Sequence, residues 1–565
     1  MFKYTLIILF FFKHVSADIL SNEDRNLYQD IFYDYRNGDF KEGDKKIAKL
    51  DNEILLGHVE ALKLLHPTAH RSSFLELKTW LAKYNDHYES KRIYKLAVRR
   101  MPEGAKSPNK PSLPILQGKY LKKTDNLKEK DFQSNKKIFS KKNYKKKISI
   151  YNTIRSRVGR GWPTGALEYL NQNKDIFSSY EKSFLLSKIS NGYYLADLDD
   201  KALKILNKES FLEHPYSEGL WIKGLSLYRK KEFEKSAKSF LILSKISDNL
   251  WLKSAGAYWS FIASSKNQSN SKTLKASIEA MEKICSKPYN LYSLLSCIII
   301  NKPIDDSNSD YSNELLINYN QFLETNFGER INALIQINEI GISEFELNRT
   351  QKISNDNFRK IILSFAAKNH LSSLQIKTAK ILYGEGTYLD LLYPTPKWME
   401  NYNFNGIDKN IILGLIRQES LFSPFAKSGK KAYGLMQILP STAHMMDRKK
   451  NFKGNPRLLF DPYINVKIGS DYLSSLLNIN YIDGDLLKAL ISYNAGPGNL
   501  SKWSKKTTFN EDSFLLIESI PSRETRLFVE RVLTNIILYE YINNKSLNYA
   551  KQLVETNSII IQNDK

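Results

Sequence analysis

From about Tyr151 to the 390s the chain keeps a helical rhythm, and one segment sets large apolar side chains three to five residues apart, answered by small ones. In "GLWIKGLSLYRKKEFEKSAKSFLILSK" this spacing is carried by Trp221, Leu225, Tyr228, Phe233, Ala237 and Phe240. Side chains three and four apart share one face of a helix. The segment therefore predicts two helices nesting large residues against small, like a tetratricopeptide pair. "SAGAYWSFIAS", with Ala255, Ala257, Trp259 and Ala263, predicts a further close-packed helix. The period is irregular, so a helical superhelix is expected rather than a strict repeat array. Alternating β-branched runs with hairpin turns are scarce, and the pattern from Asp18 to about Arg100 is also helical. The fold class that follows is all-α.

Two breaks divide this pattern. "PEGAKSPNKPSLP" carries four prolines in thirteen residues and leads into a lysine-dense stretch. Residues 101–150 are therefore read as a Pro/Lys-rich insertion or linker, solvated for want of apolar side chains. "LLYPTPKWMENYNFNG", 391 to 406, brings two prolines and an Asn-Gly step and marks a domain boundary. The expected organisation is a leader over 1–17, an α-superhelical region over 18–395, a C-terminal domain over 396–550 and a tail over 551–565.

The leader rests on Lys3, the apolar run Tyr4 to Phe12 and the small residues Val15-Ser16-Ala17, the order of a cleaved export signal. Nine apolar residues fall short of the roughly 20 that span a bilayer. Export makes a periplasmic location the expectation and argues against a nucleic-acid partner, despite a formal charge of +24. Part of that charge reflects a general abundance of lysine. The remainder suits an anionic polymer or weak contact with an anionic membrane surface. The two cysteines, Cys285 and Cys297, are twelve apart, open to a bridge or to two buried thiols. No Cys/His cluster has metal-ligand spacing, so no metal or cofactor is expected.

The stretch "GLIRQESLFSPFAKSGKKAYGLMQILPSTA", 414 to 443, contains one acidic residue, Glu419. Ile412, Leu415 and Ile416 recur at helical spacing, and Glu419 falls four after Leu415, on the core-facing side; Arg417 and Lys409 do not. The Ser-Pro step at 423–424 is expected to end this helix, placing Glu419 where the helix dipole disfavours negative charge. Desolvation and dipole both raise a carboxyl pKa, as a general acid near neutral pH requires. Three later stretches add polar groups with few charges. "KAYGLMQILPSTA" offers Gln437, "LISYNAGPGNL" offers Tyr493 and Asn494 before a Gly-Pro-Gly turn, and "IESIPSRETRLFVERVL" offers Glu518. Aromatic faces, hydroxyls and amides suit a sugar ligand.

In this order, "RQES", "AYGLMQILPSTA", "SYNAGPGNL" and "ESIPSRETRLFVERV" resemble the soluble, superhelical lytic murein transglycosylases. Weaker similarity extends to "RSRVGRGWPTGALEYL", "GLWIKGLSLYRKKEFEKSAKSF" and "LLYPTPKW". The resemblance implies a lysozyme-like domain on an α-superhelix, a monomer acting on peptidoglycan glycan strands. It also implies cleavage between N-acetylmuramic acid and N-acetylglucosamine, leaving a 1,6-anhydro end. By motif position Glu419 would be the sole acid and base, and Ser428 and Gln437 would contact sugar or orient the acid. Tyr493 and Asn494 would line the site near the N-acetyl group, Glu518 would hydrogen-bond around the cleft and Ser420 would support the backbone. A chain acting through the sugar's own groups needs one carboxylate, whereas a hydrolase usually needs two. A lysozyme-type hydrolase would have to recruit a distant residue such as Asp447, and a non-catalytic binding scaffold would have no use for Glu419. One departure stands out: Lys431 occupies a position where the family commonly has glycine. A left-handed backbone there would be uncomfortable by roughly 1 kcal/mol, unless Gly429 absorbs the turn.

Overall fold

The computed structural model describes residues 18–114, 138–266, 271–305, 319–320, 322–350, 355–386, 388–400, 402–506 and 512–561. The expected leader, 1–17, and the lysine-dense stretch 115–137 lie outside them. The described residues are helical with short connections; extended pairing among them is limited to isolated bridges. No helix among them is long and apolar enough to cross a membrane.

The chain forms two compact units, each assembled from two distant stretches: 1–126 with 310–382, and 127–309 with 383–565. The region expected as one superhelix over 18–395 is thus shared between both units. In the first unit, Tyr28, Ile31 and Phe32 from the N-terminal helix Asn22–Asn37 pack with Phe322, Ile331, Ile362 and Phe365 in one core. A buried polar cluster joins the same stretches. His58 Nδ1 lies 3.0 Å from Glu89, and Glu346 accepts from the Tyr88 amide at 2.8 Å. The guanidiniums of Arg330 and Arg349 sit 3.9 and 3.8 Å from Glu346, so its charge is balanced by arginine.

The second unit contains the nested helices anticipated from the large/small pattern. Ser217–Arg229, Phe233–Ile246 and Leu250–Lys266 follow one another in space. Trp221, Phe240 and Trp259 meet between them at 5.3 to 6.2 Å. Cys285 and Cys297 are bridged, closing the short loop before the helix Leu291–Ile299. Two features depart from expectation. The supposed linker gives way to a helix, Tyr144–Gly159, whose Lys147 is buried and paired with Glu181 at 2.7 Å. The supposed tail continues the packed structure: after the helix Asn548–Thr556, Ile559 and Ile561 exchange backbone hydrogen bonds with Leu486 and Gly484. Apolar burial explains the latter, Leu553 and Ile559 being fully enclosed.

Candidate active site

Glu419 lies near the end of the helix Lys409–Ser420, opened by Asp408, whose side chain accepts from the Asn410 amide at 2.6 Å. Ile411 to Ile416 are buried against the long helix Arg523–Asn544. The crossing is tight at Gly414: a Cβ there would lie 2.7 Å from Ile536 Cγ1. Arg417, expected to point away from the core, instead packs 4.0 Å over the Tyr393 ring and bonds the Leu392 carbonyl and Asn535, each at 3.0 Å. Its guanidinium ties the Pro-rich boundary segment to both helices. The helix is not ended by Pro424. Leu421 and Phe422 take left-handed conformations, φ 48° and 60°, and reverse the chain directly after Glu419. Two such residues in succession are strained, and strain of this kind persists where surrounding structure fixes it. Ser420 donates to the Ile416 carbonyl at 3.2 Å, in keeping with a backbone-supporting role.

Glu419 is half-buried, and burial pushes its carboxyl up to about 8. The direction matches the sequence argument, and burial is joined by a second cause. It is the charge of Glu524, at the start of the helix Arg523–Asn544. The reading that no second acidic residue approaches Glu419 is corrected accordingly: Glu524 does, and Asp447 does not figure among its influences. Neutralising Glu524 removes a charge that opposes ionisation of Glu419. Glu524→Gln should therefore lower the Glu419 pKa and move the alkaline limb of a pH–rate profile to lower pH, and an unmoved limb would show that the two carboxylates do not communicate.

The remaining motifs are tied into the same structure by hydrogen bonds, and Tyr493 brings them to this carboxyl. Tyr493 stands near the end of the helix Leu486–Ala495, close enough for Glu419 to help raise its hydroxyl pKa. That hydroxyl donates to the Met436 carbonyl at 2.8 Å. Gln437, at φ 49°, turns its amide nitrogen onto the Gly434 and Ala426 carbonyls at 2.9 and 3.1 Å. Asn494 accepts from the Thr525 hydroxyl at 2.9 Å, joining the third motif to the fourth. Asn465, which no motif flagged, is fully buried: it donates to the carbonyls of Tyr433 and Leu459 and accepts from the Met436 amide at 2.8 Å. Ser428 lies in the turn before Tyr433, its hydroxyl accepting from the Ala432 amide at 3.0 Å. In that turn Lys431 itself adopts φ 61°, while Gly429 does not take a positive φ. The exposed lysine bears the strain that glycine would have relieved.

Glu518 does not join this set. The helix Ser513–Ser519 is buried on every side, and the Glu518 carboxylate accepts from the Tyr292 hydroxyl in the helix Leu291–Ile299. Burial raises its pKa and the Arg526 guanidinium lowers it. The residue expected at the cleft is 3% exposed and turned toward Tyr292, apart from the groups linked to Tyr493. Glu518→Ala should cost about 1–3 kcal/mol in denaturant unfolding, by stranding the Tyr292 hydroxyl, and leave KM unchanged.

Residues 397–515 match the family model of the transglycosylase SLT domain. The chain is 34% identical over 137 residues to the soluble lytic murein transglycosylase of Escherichia coli K12, covering 24% of this chain and 21% of that one. It is 32% identical over 189 residues to a putative soluble lytic murein transglycosylase of Haemophilus influenzae, covering 32% and 31%. The matched stretches thus span between a fifth and a third of those relatives. In structure, the chain is similar to the 70 kDa soluble lytic transglycosylase in complex with bulgecin A: TM-score 0.61, 14% identity, 92% of this chain and 97% of the other covered. That likeness establishes the all-α superhelical fold.

Proposed function

We propose that this chain, which carries a transglycosylase SLT domain over residues 397–515, is an exported peptidoglycan lytic transglycosylase, periplasmic and active without a metal or cofactor. The observation that carries the reading is the place of Glu419, half-buried near the end of the helix Lys409–Ser420, where burial pushes its carboxyl up to about 8. In the proposed reaction Glu419 donates its proton to the glycosidic oxygen between N-acetylmuramic acid and N-acetylglucosamine. The C1–O bond breaks, and the muramyl N-acetyl oxygen stabilises the cationic carbon. The C6 hydroxyl oxygen then bonds to C1 and its proton returns to the Glu419 carboxylate. Atoms and charge balance without water, and one carboxyl serves as acid and then base. In this reading Tyr493, bonded to Met436, and Asn494, bonded to Thr525, present ring and amide to the sugar. Gln437 and Ser428 hold the loop facing them. Leaving Glu518 out of the ligand contacts follows from its burial.

One observation favours a second reading. Glu524 acts on Glu419, and a hydrolase would use a second carboxylate to activate water. Mass spectrometry of products released from purified sacculi separates the two. Anhydro-ended muropeptides, lighter by one water, are expected. Reducing-end products would replace the proposal with a muramidase, and no products at all would leave a binding scaffold.

A further inference from the structure

The stretch "RSRVGRGWPTGALEYL" has no part in the chemistry above, yet it borders a groove of about 550 Å³ on the helix Tyr144–Gly159. Ile150, Tyr151 and Ile154 hold one side of that helix in the core. The opposite side presents hydroxyls from Ser149, Thr153 and Ser156, and the amide of Asn152. At its C-terminal end stand Arg157, Arg160 and Trp162. Trp162 is 53% exposed, unusual for so large an apolar side chain. It is also fixed. Its ring lies on Gly165, where a Cβ would fall 2.1 Å away. The Arg157 guanidinium packs 4.8 Å from the Trp162 ring and 4.7 Å from that of Tyr169. Arg160, Asn152 and Ser156 are exposed and their side chains have no partner among the described residues. No acidic residue lines the groove.

We infer that this groove is a second saccharide site, for a glycan bearing carboxylates, remote in sequence from Glu419; the inference rests on the peptidoglycan reading for the identity of the strand. Each part of the lining answers a part of such a ligand. The ring offers a rigid face for sugar C–H groups, and the hydroxyls and amide match sugar hydroxyl and acetamido groups. The unpaired Arg160 takes the carboxylate. A lipid tail would find only one apolar surface here. The site would hold a strand while Glu419 acts on it, raising affinity for long strands without touching the reacting bond.

The test uses the full chain with Glu419→Gln, to prevent turnover, and measures affinity for soluble uncrosslinked glycan strands carrying stem peptides. Adding Trp162→Ala should weaken binding at least fivefold. Arg160→Glu, at an exposed position without structural partners, should do the same. Neutral N-acetylglucosamine oligomers should bind more weakly and lose nothing with Arg160→Glu. With Glu419 intact, both variants should cleave a short soluble substrate at the parent rate. Unchanged strand affinity in both variants would overturn the inference, as would groove-dependent binding to phosphatidylglycerol vesicles without binding to glycan. If the parent binds strands through Trp162 yet releases no product from sacculi, the proposed activity fails while the groove stands.

Discussion

Replacing Glu419 by glutamine is expected to lower product release from purified sacculi by about 10³-fold, the scale of a general acid's contribution, with the fold intact. Glutamine keeps the shape and removes only the transferable proton. No neighbour can substitute for it. The Tyr493 hydroxyl is already committed to the Met436 carbonyl, and its pKa is pushed further from the working range. Glu524 is exposed to solvent and acts by charge. The pH dependence follows from the raised Glu419 pKa of about 8. The active form is the protonated one, so kcat/KM should be flat below that value and fall as pH rises through it. Stability has the same sign. The folded state holds this proton more tightly than the unfolded chain, so the contribution is present in acid and lost as pH rises through about 8. The glutamine variant lacks this titration and should lose less stability on the alkaline side. Retention of more than a tenth of the activity would remove Glu419 from the role of acid.

How far the site could be read from sequence depended on whether a residue's partners were local. Ile412, Leu415 and Ile416 declare one helix face, and Glu419 follows from counting along it. The nested large and small residues around Trp221 likewise announce their helices. Glu518 and Glu524, six apart in one motif, could not be told apart. The helix carrying Glu518 is apolar on every side, so it shows no polar face, and the choice between interior and site is made by Tyr292, more than two hundred residues earlier. Periodicity puts Arg417 off the core-facing side, but a guanidinium can lie flat on Tyr393 while bonding a carbonyl, which a binary pattern does not encode. The division into interleaved units has no local signal at all, since it depends on which distant stretches share a core.

Gly434→Ala is expected to be the most damaging change of a single methyl group in the SLT domain. Gly434 has φ 78°, where a Cβ costs roughly 1–2 kcal/mol by itself. The added carbon would also stand 2.2 Å from the Leu459 carbonyl oxygen and 2.3 Å from Asn465 Nδ2. Neither obstacle is a loose side-chain end. One is backbone, and the other is a buried amide whose three bonds, to Tyr433, Leu459 and Met436, position the loop. Making room breaks that set, and each stranded buried group costs about 1–3 kcal/mol. A total loss of at least about 3 kcal/mol follows, measurable as a lowered denaturant midpoint. Activity should fall further than stability predicts, because the carbonyl that fixes Tyr493 belongs to Met436, two residues on. Gly429→Ala is the matched control. Gly429 is exposed, has no positive φ, and a Cβ there meets nothing within 4 Å, so its effect should stay within about 0.5 kcal/mol. Equal behaviour of the two variants would mean that the loop adapts, and that Asn465 and Gly434 do not hold Tyr493 and Gln437 in place. A large difference, with Gly434→Ala inactive at temperatures where it remains folded, would make this close packing the support on which the geometry around Glu419 depends.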